Sequence, residues 1–190
     1  MIETIAFIFT GLGLAASIVY YANILQNANK TRELQLQSQQ LSQKAQEQAL
    51  ETRQAALFMS LYETYQSLEF VKNRRDVIEL EWNDFDDFWT KYGLNTNNDA
   101  WVKWQSQASF FNGVGVLVKK GLIDISLVDE LFSNVIHRMW THMGPIIIEW
   151  RNTRKDLYPR THELLHGFDY LYNAHLKYIK ENPELVLPNT

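Results

Sequence analysis

From Thr4 to Asn29 the chain carries no charged side chain, and within that stretch residues 5–25 read IAFIFTGLGLAASIVYYANIL. A helix of about 21 apolar residues rises ~32 Å, close to the thickness of a bilayer's hydrocarbon core. Residues 26–56 then turn polar, QNANKTRELQLQSQQLSQKAQEQALETRQAA, rich in Gln and without Gly or Pro. Helix formers dominate there, so the pattern predicts a continuous exposed helix. Its thin seam of Leu34, Ser38, Leu41, Ala45, Ala49, Thr52 and Ala56 follows an eleven-residue repeat. Such a period favours a straight or slightly right-handed bundle over a left-handed coiled coil. A seam this poor in large side chains stabilises a helix only when several copies run side by side. A flexible Gln-rich tether is the alternative reading of the same composition.

From Leu57 the apolar positions recur at helical spacing. LFMSLYETYQSLEFVKNRRDVIELEW predicts one long amphipathic helix with Leu57, Leu61, Leu68, Val71 and Ile78 on its apolar face. A short helix is expected over Asn83–Tyr92, followed by the breaker-rich loop GLNTNND. Asn98 or Asp99 can cap the next helix, AWVKWQSQASFFNGVGVLVKK, which Gly121 closes. Ser126 with Asp129 has the spacing of a capping box that opens SLVDELFSNVIHRMWTHM. Gly144-Pro145 is expected to end that helix, with Pro145 starting IIIEWRNTR at its first position. Pro159 introduces a last helix running to about Glu181. No alternating strand pattern with hairpin turns appears. The expected fold is therefore all-α: a single N-terminal transmembrane helix (1–25), a long helical stalk (26–56), a compact helical bundle domain (57–182) and a flexible tail (183–190).

The first segment reads as a signal anchor. A cleaved secretory signal has a basic start and a shorter apolar run, whereas this chain begins Met-Ile-Glu. A buried core helix of a soluble protein is the other possibility for such a run. Lys30, Arg32 and Lys44 follow the span, and only Glu3 precedes it. The positive-inside rule then puts the N-terminus outside and the C-terminal domain in the cytoplasm, single-pass in the cell membrane, with Tyr20 and Tyr21 towards the headgroups. Ala6, Thr10, Gly13 and Ser17 share one face of the span, and Gly11, Ala15 and Ala22 an adjacent one. Small residues let membrane helices approach closely, although Gly and Ala are also simply common in such helices. The positions expected to pack copies together are Thr10, Gly11, Gly13, Ala15 and Ser17 in the span and Leu34, Leu41 and Ala45 in the stalk.

Composition narrows the function classes. The net charge of −4 argues against a nucleic-acid partner, because phosphate affinity comes from clustered Lys and Arg. With no cysteine there is no disulfide, thiolate metal site or thiol nucleophile. The sharpest chemical motif is His162-Glu163-Leu164-Leu165-His166, an HExxH. On a helix the two imidazoles lie one turn apart and can ligate Zn²⁺, with Glu163 as general base. A third ligand is wanting: His175 falls roughly half a turn round from His166, and Glu184 sits in the Pro-flanked tail. Glu163 with His166 is also half of a di-iron motif, but its second Glu-x-x-His is missing. His137 and His142, five apart, do not share a face well. The expectation is accordingly no enzyme, no cofactor and no metal. An acidic stretch (Glu79, Glu81, Asp84, Asp86, Asp87) and a basic one (Arg151, Arg154, Lys155, Arg160) read as solvated faces or as electrostatic register between protomers. The six tryptophans are expected mainly in the core.

FFNGVGVLVKKGLIDISLVDELF and MWTHMGPIIIEWRNTR carry a resemblance to a large uncharacterised prokaryotic family of membrane-anchored helical proteins, a domain of unknown function. The likeness extends over most of residues 30–181. It implies the architecture of anchor, Gln-rich stalk and helical domain, and its motifs are packing and capping residues. The function expected is a membrane-anchored oligomeric scaffold or accessory subunit with a cytosolic interaction domain. Its partners would be membrane lipid, further copies of itself and a larger membrane protein complex. An oligomeric pore is the alternative, and a zinc-dependent hydrolase through the HExxH segment a third.

Overall fold

The structure is a computed structural model that describes the backbone of residues 2–153 and 163–185, and the side chains of these except 2–12, 15 and 16. Among the described residues the chain is all-α, with six helices and no strand: α1 Ile2–Gln66, α2 Leu68–Ile78, α3 Phe85–Tyr92, α4 Asn98–Lys119, α5 Ile125–Thr153 and α6 His166–Glu181. A 3-10 turn at Pro183–Leu185 follows α6. The chain divides into two units, Met1–Arg53 and Gln54–Thr190. The anchor expected over 1–25 gains no support from this description: among the described residues no helix is long and apolar enough to cross a membrane.

The first unit is helix throughout its described length, and its described side chains are exposed. Gly13 has no atom within 4 Å of where a Cβ would stand. Ser17 turns its hydroxyl back to donate to the Gly13 carbonyl at 2.8 Å. Gly13, Ser17, Leu34, Leu41 and Ala45 are all exposed in the single chain, whereas the side chains of Thr10, Gly11 and Ala15 lie outside the described residues.

In the second unit, the end of α1 applies Leu57, Phe58, Leu61, Tyr62 and Tyr65 to the core at i, i+4, i+8 spacing. The helix expected to run on to Trp82 breaks at Ser67. The Ser67 hydroxyl accepts from the Phe70 amide at 3.2 Å and starts α2 afresh. That new start resets the helical phase. Phe70 and Val77 become the buried positions, while Leu68 and Val71, expected on the apolar face, are 70% and 38% exposed.

Caps account for the next two starts. Asp84 accepts from the Asp87 amide, and Asp87 accepts from the Asn83 amide, each at 2.9 Å, which fixes the first turn of α3. Asn97, one residue before the expected Asn98 or Asp99, caps α4 by accepting from Ala100 at 3.1 Å. The far end of α4 is a Schellman motif. Leu122 donates to Leu117 at 3.0 Å and Gly121 to Val118 at 2.9 Å, with Gly121 at φ +66° as the closure requires.

Helix α5 departs most from expectation. Its start is organised by Asp124, which accepts from the amide and hydroxyl of Ser126, so the Ser126–Asp129 capping box does not form. Gly144-Pro145 does not end it; Pro145 sits inside a continuous helix to Thr153. The reason lies in which face the proline occupies. Met139, Trp140, Met143, Ile146 and Ile147 are buried on both sides of it, so core packing carries the helix across. Pro145 itself is exposed, as is Thr141, whose carbonyl would be its hydrogen-bond partner. Water can satisfy that carbonyl. Pro145→Ala restores a backbone donor at a helical position and is expected to raise stability by about 1–3 kcal/mol. A urea midpoint that falls instead would show that the helix is bent around the proline.

Helix α4 is the centre of the second unit, with α2, α3, α5 and α6 packed round it. Five tryptophans gather at one end. Trp101 stacks on Trp104 at 5.6 Å, Phe88 lies 5.4 Å from Trp104, and Trp150 and Trp89 close on Trp101 at 5.2 and 4.9 Å. Trp82 contacts Phe88 at 5.0 Å, while Trp140 packs separately with Phe168. Helices α4 and α6 meet through glycine. A Cβ on Gly115 would stand 1.7 Å from the Gly167 carbonyl oxygen.

Candidate functional site

A groove runs beside the exposed stripe of α5 formed by Arg138, Thr141, His142 and Pro145, at i, i+3, i+4, i+7 spacing. Its far wall is α2 and the loop after it. One end, about 410 Å³, is lined by Val71, Arg74, Arg75, Ile78, Glu79 and Arg138. The middle adds His137, Thr141 and His142. The other end, about 690 Å³, is bounded by Leu80, Glu81, Trp82, Lys91, His142 and Pro145. Pro145 shapes this end: lacking an N–H, it leaves the Thr141 carbonyl without its usual helical donor.

His142 is the titratable group at the centre. Its Nε2 lies 2.8 Å from the Val77 carbonyl. A carbonyl only accepts, so Nε2 carries the proton and Nδ1 the lone pair. Its ring packs against Trp82 with centroids 4.3 Å apart. Burial pushes its pKa below the ordinary 6.5; the Val77 carbonyl opposes this and Arg138 adds to it. The site therefore presents a neutral imidazole, with Nε2 already engaged, beside positive charge.

A second histidine lies deeper. His175 of α6 is buried, with Nδ1 2.8 Å from Oδ1 of Asp129 on α5. Burial lowers its pKa more than the Asp129 charge raises it. Both histidines titrate below 6.5 when folded, so the unfolded chain takes up protons first as pH falls. Stability is then complete above about pH 7.5 and declines as pH drops from 6.5 through the folded values, with a slope of up to ~1.4 kcal/mol per pH unit for each histidine. Denaturant midpoints at pH 7.5, 6.5 and 5.5 should fall in that order. Equal midpoints would mean that neither imidazole resists protonation.

The sites expected from sequence fall as follows. His162 lies outside the described residues, as do Arg154, Lys155, Pro159 and Arg160. Leu164 and Leu165 form a turn after Glu163, with Leu165 at φ 55°, and α6 begins only at His166. Glu163 and His166 therefore do not share the helix that a zinc HExxH needs. His166 is half-exposed, with Nδ1 4.0 Å from Asp169. Among the described residues no three His, Asp or Glu side chains gather to hold a metal ion.

For Arg151, the one described member of the basic stretch, the reading as a solvated or intersubunit face is corrected. Its side chain is 10% exposed, Nε donates to the Leu164 carbonyl at 2.7 Å, and Nη1 reaches Asp169 at 3.2 Å. It ties the end of α5 to the start of α6. In the acidic stretch, Glu79 pairs with Arg75, Asp84 caps α3, and Asp87 is held below its ordinary pKa first by Lys91 and then by Asn83. Two features went unseen from sequence: the Asp129–His175 pair, whose members are far apart in the chain, and the convergence of Arg74 with Arg138. Periodicity carries no signal for either.

No curated protein and no solved structure matches the chain. Residues 5–165 match the model of one family, which takes in α1 from residue 5 onward, all of α2 to α5 and the groove between α2 and α5. The chain thus belongs to the family described as Domain of unknown function (DUF4760).

Proposed function

We propose that this protein is a single-pass, membrane-anchored scaffold that self-associates and presents the Gln54–Thr190 unit as a cytosolic interaction domain. The supporting observation is an apolar helical surface that the chain does not cover. In the single chain Leu14, Ile18, Val19 and Leu25 are 61%, 67%, 61% and 63% exposed. They belong to the uncharged run from Thr4 to Asn29. Apolar surface on that scale calls for lipid or another protein. Length favours lipid, since the run matches the hydrocarbon thickness. Lys30 and Arg32 after it favour a cytoplasmic C-terminal side. Further along, exposed Leu34, Leu36, Leu41 and Leu50 are suited to neighbouring copies of the same helix. The groove and the two histidines supply no nucleophile and base in contact, which favours binding over catalysis.

Alkaline carbonate extraction tests the anchor, and the mass of the detergent-solubilised particle tests the assembly. The full chain is expected to stay with the vesicles, and deletion of residues 1–25 to release it. The particle mass should be a multiple of 22.3 kDa after subtraction of detergent. Extraction of the intact chain by carbonate removes the anchor; a monomeric particle removes the scaffold.

A further inference from the structure

The α2 end of the groove holds two arginines whose charge no acid neutralises among the described residues. Arg74 lies with its guanidinium carbon 4.3 Å over the Tyr65 ring. Its Nη1 is buried and has no hydrogen-bond partner among the described residues. Arg138 lines the same cavity from α5 and forms no ion pair among them. Arg75, also on the lining, differs: its Nε holds Oε1 of Glu79 at 3.2 Å. Glu79 is thereby occupied by its own helix neighbour. Between the cations the wall is apolar, formed by Val71 and Ile78.

Two like charges facing one concavity repel, and a buried guanidinium donor without an acceptor loses hydration that nothing replaces. An oxyanion relieves both. Guanidinium groups present paired donors that fit the oxygens of a phosphoryl group, and stacking on Tyr65 holds one of them in place beforehand. A dianion matches two arginines better than a single carboxylate does. The apolar wall suits a carbon group attached to the phosphate. His142, kept neutral further along the groove, adds no competing charge and leaves Nδ1 as an acceptor.

We infer that the groove between α2 and α5 binds a phosphomonoester group, clamped jointly by Arg74 and Arg138. The inference is independent of the scaffold reading. Its ligand chemistry is shared by soluble phosphomonoesters and by the headgroup of phosphatidic acid, and the two are separable. The test uses the full chain in nanodiscs at fixed ionic strength, with thermal unfolding followed by tryptophan fluorescence. One arm titrates phenyl phosphate over discs of uncharged lipid; the other replaces part of that lipid by phosphatidic acid. The wild type and Lys72→Gln, which removes an exposed cation of α2 that does not line the groove, should show a saturable rise in Tm with phenyl phosphate. Arg138→Gln, on an exposed side chain, should weaken that binding at least tenfold. Arg74→Lys, which keeps the charge over Tyr65 and loses the fork, should do the same. A rise seen only with phosphatidic acid, and lost in Arg138→Gln, assigns the group to lipid. No saturable rise in either arm overturns the inference, and so does a rise that Arg138→Gln leaves unchanged.

Discussion

Gly115→Ala should strongly destabilise the Gln54–Thr190 unit, although it adds only one methyl group. The new Cβ would stand 1.7 Å from the Gly167 carbonyl oxygen, 2.5 Å from its carbon and 3.0 Å from the Leu171 Cβ. Two of those three neighbours are backbone, so no rotamer change makes room. The two helices must separate, which strips contacts from Phe111, Val114, Phe168 and Leu171, all buried. Overpacking typically costs about 1–3 kcal/mol, and a clash with backbone belongs at or above the top of that range. The expected loss of Tm is on the order of 10 °C or more. Gly113→Ala, two residues away on the same helix, is the contrast. No atom lies within 4 Å of a Cβ there, and replacing a mid-helix glycine should stabilise by about 0.5–1 kcal/mol. Paired thermal melts decide the matter: equal shifts for the two variants would refute the close crossing.

Trp104→Ala is expected to cost about 3–5 kcal/mol. Trp104 is fully buried, and Phe88, Trp101 and Trp150 all lean on it, at 5.4, 5.6 and 6.2 Å. Its removal leaves a void bounded by large rings that rigid helices keep apart, so relaxation recovers little. Among the described residues the Nε1 proton has no partner, so no hydrogen bond to them is lost with the ring. Trp104→Phe should for that reason cost clearly less than Trp104→Ala, since it removes an unsatisfied donor together with part of the volume. If the phenylalanine variant is as unstable as the alanine one, Nε1 has a partner after all.

The elements were largely legible in the chain because apolar spacing, glycine and capping residues act locally. Gly121 marks the end of α4 in sequence and in structure. What failed was the competition between neighbouring local signals. Asn97 won over Asn98 and Asp99, and Asp124 over Ser126, by a matter of one or two residues. Ser67 lies in an unbroken run of helix formers, and nothing in that run reveals that its hydroxyl restarts the helix. Pro145 misled in the opposite sense, since its cost is met by burial on the other face of α5, which only the packing reveals. The groove was less legible still. Arg74 and Arg138 look like ordinary surface charges, and Arg151 like another, until packing of the helices decides which are buried. Asp129 and His175 meet only because α5 and α6 lie together.

The Gly115–Gly167 crossing also bears on where this protein can be cut. The family match covers residues 5–165, yet Gly167, Phe168, Leu171 and His175 come after it and complete the interior. A fragment trimmed to end at residue 165 would leave Phe111 and Val114 facing water and Asp129 without its counterpart. With residues 1–25 removed from both, such a truncation should express as aggregate, whereas one that extends through Glu181 should remain in solution. The matched segment and the segment that closes the interior are thus of different lengths, and expression boundaries belong to the longer.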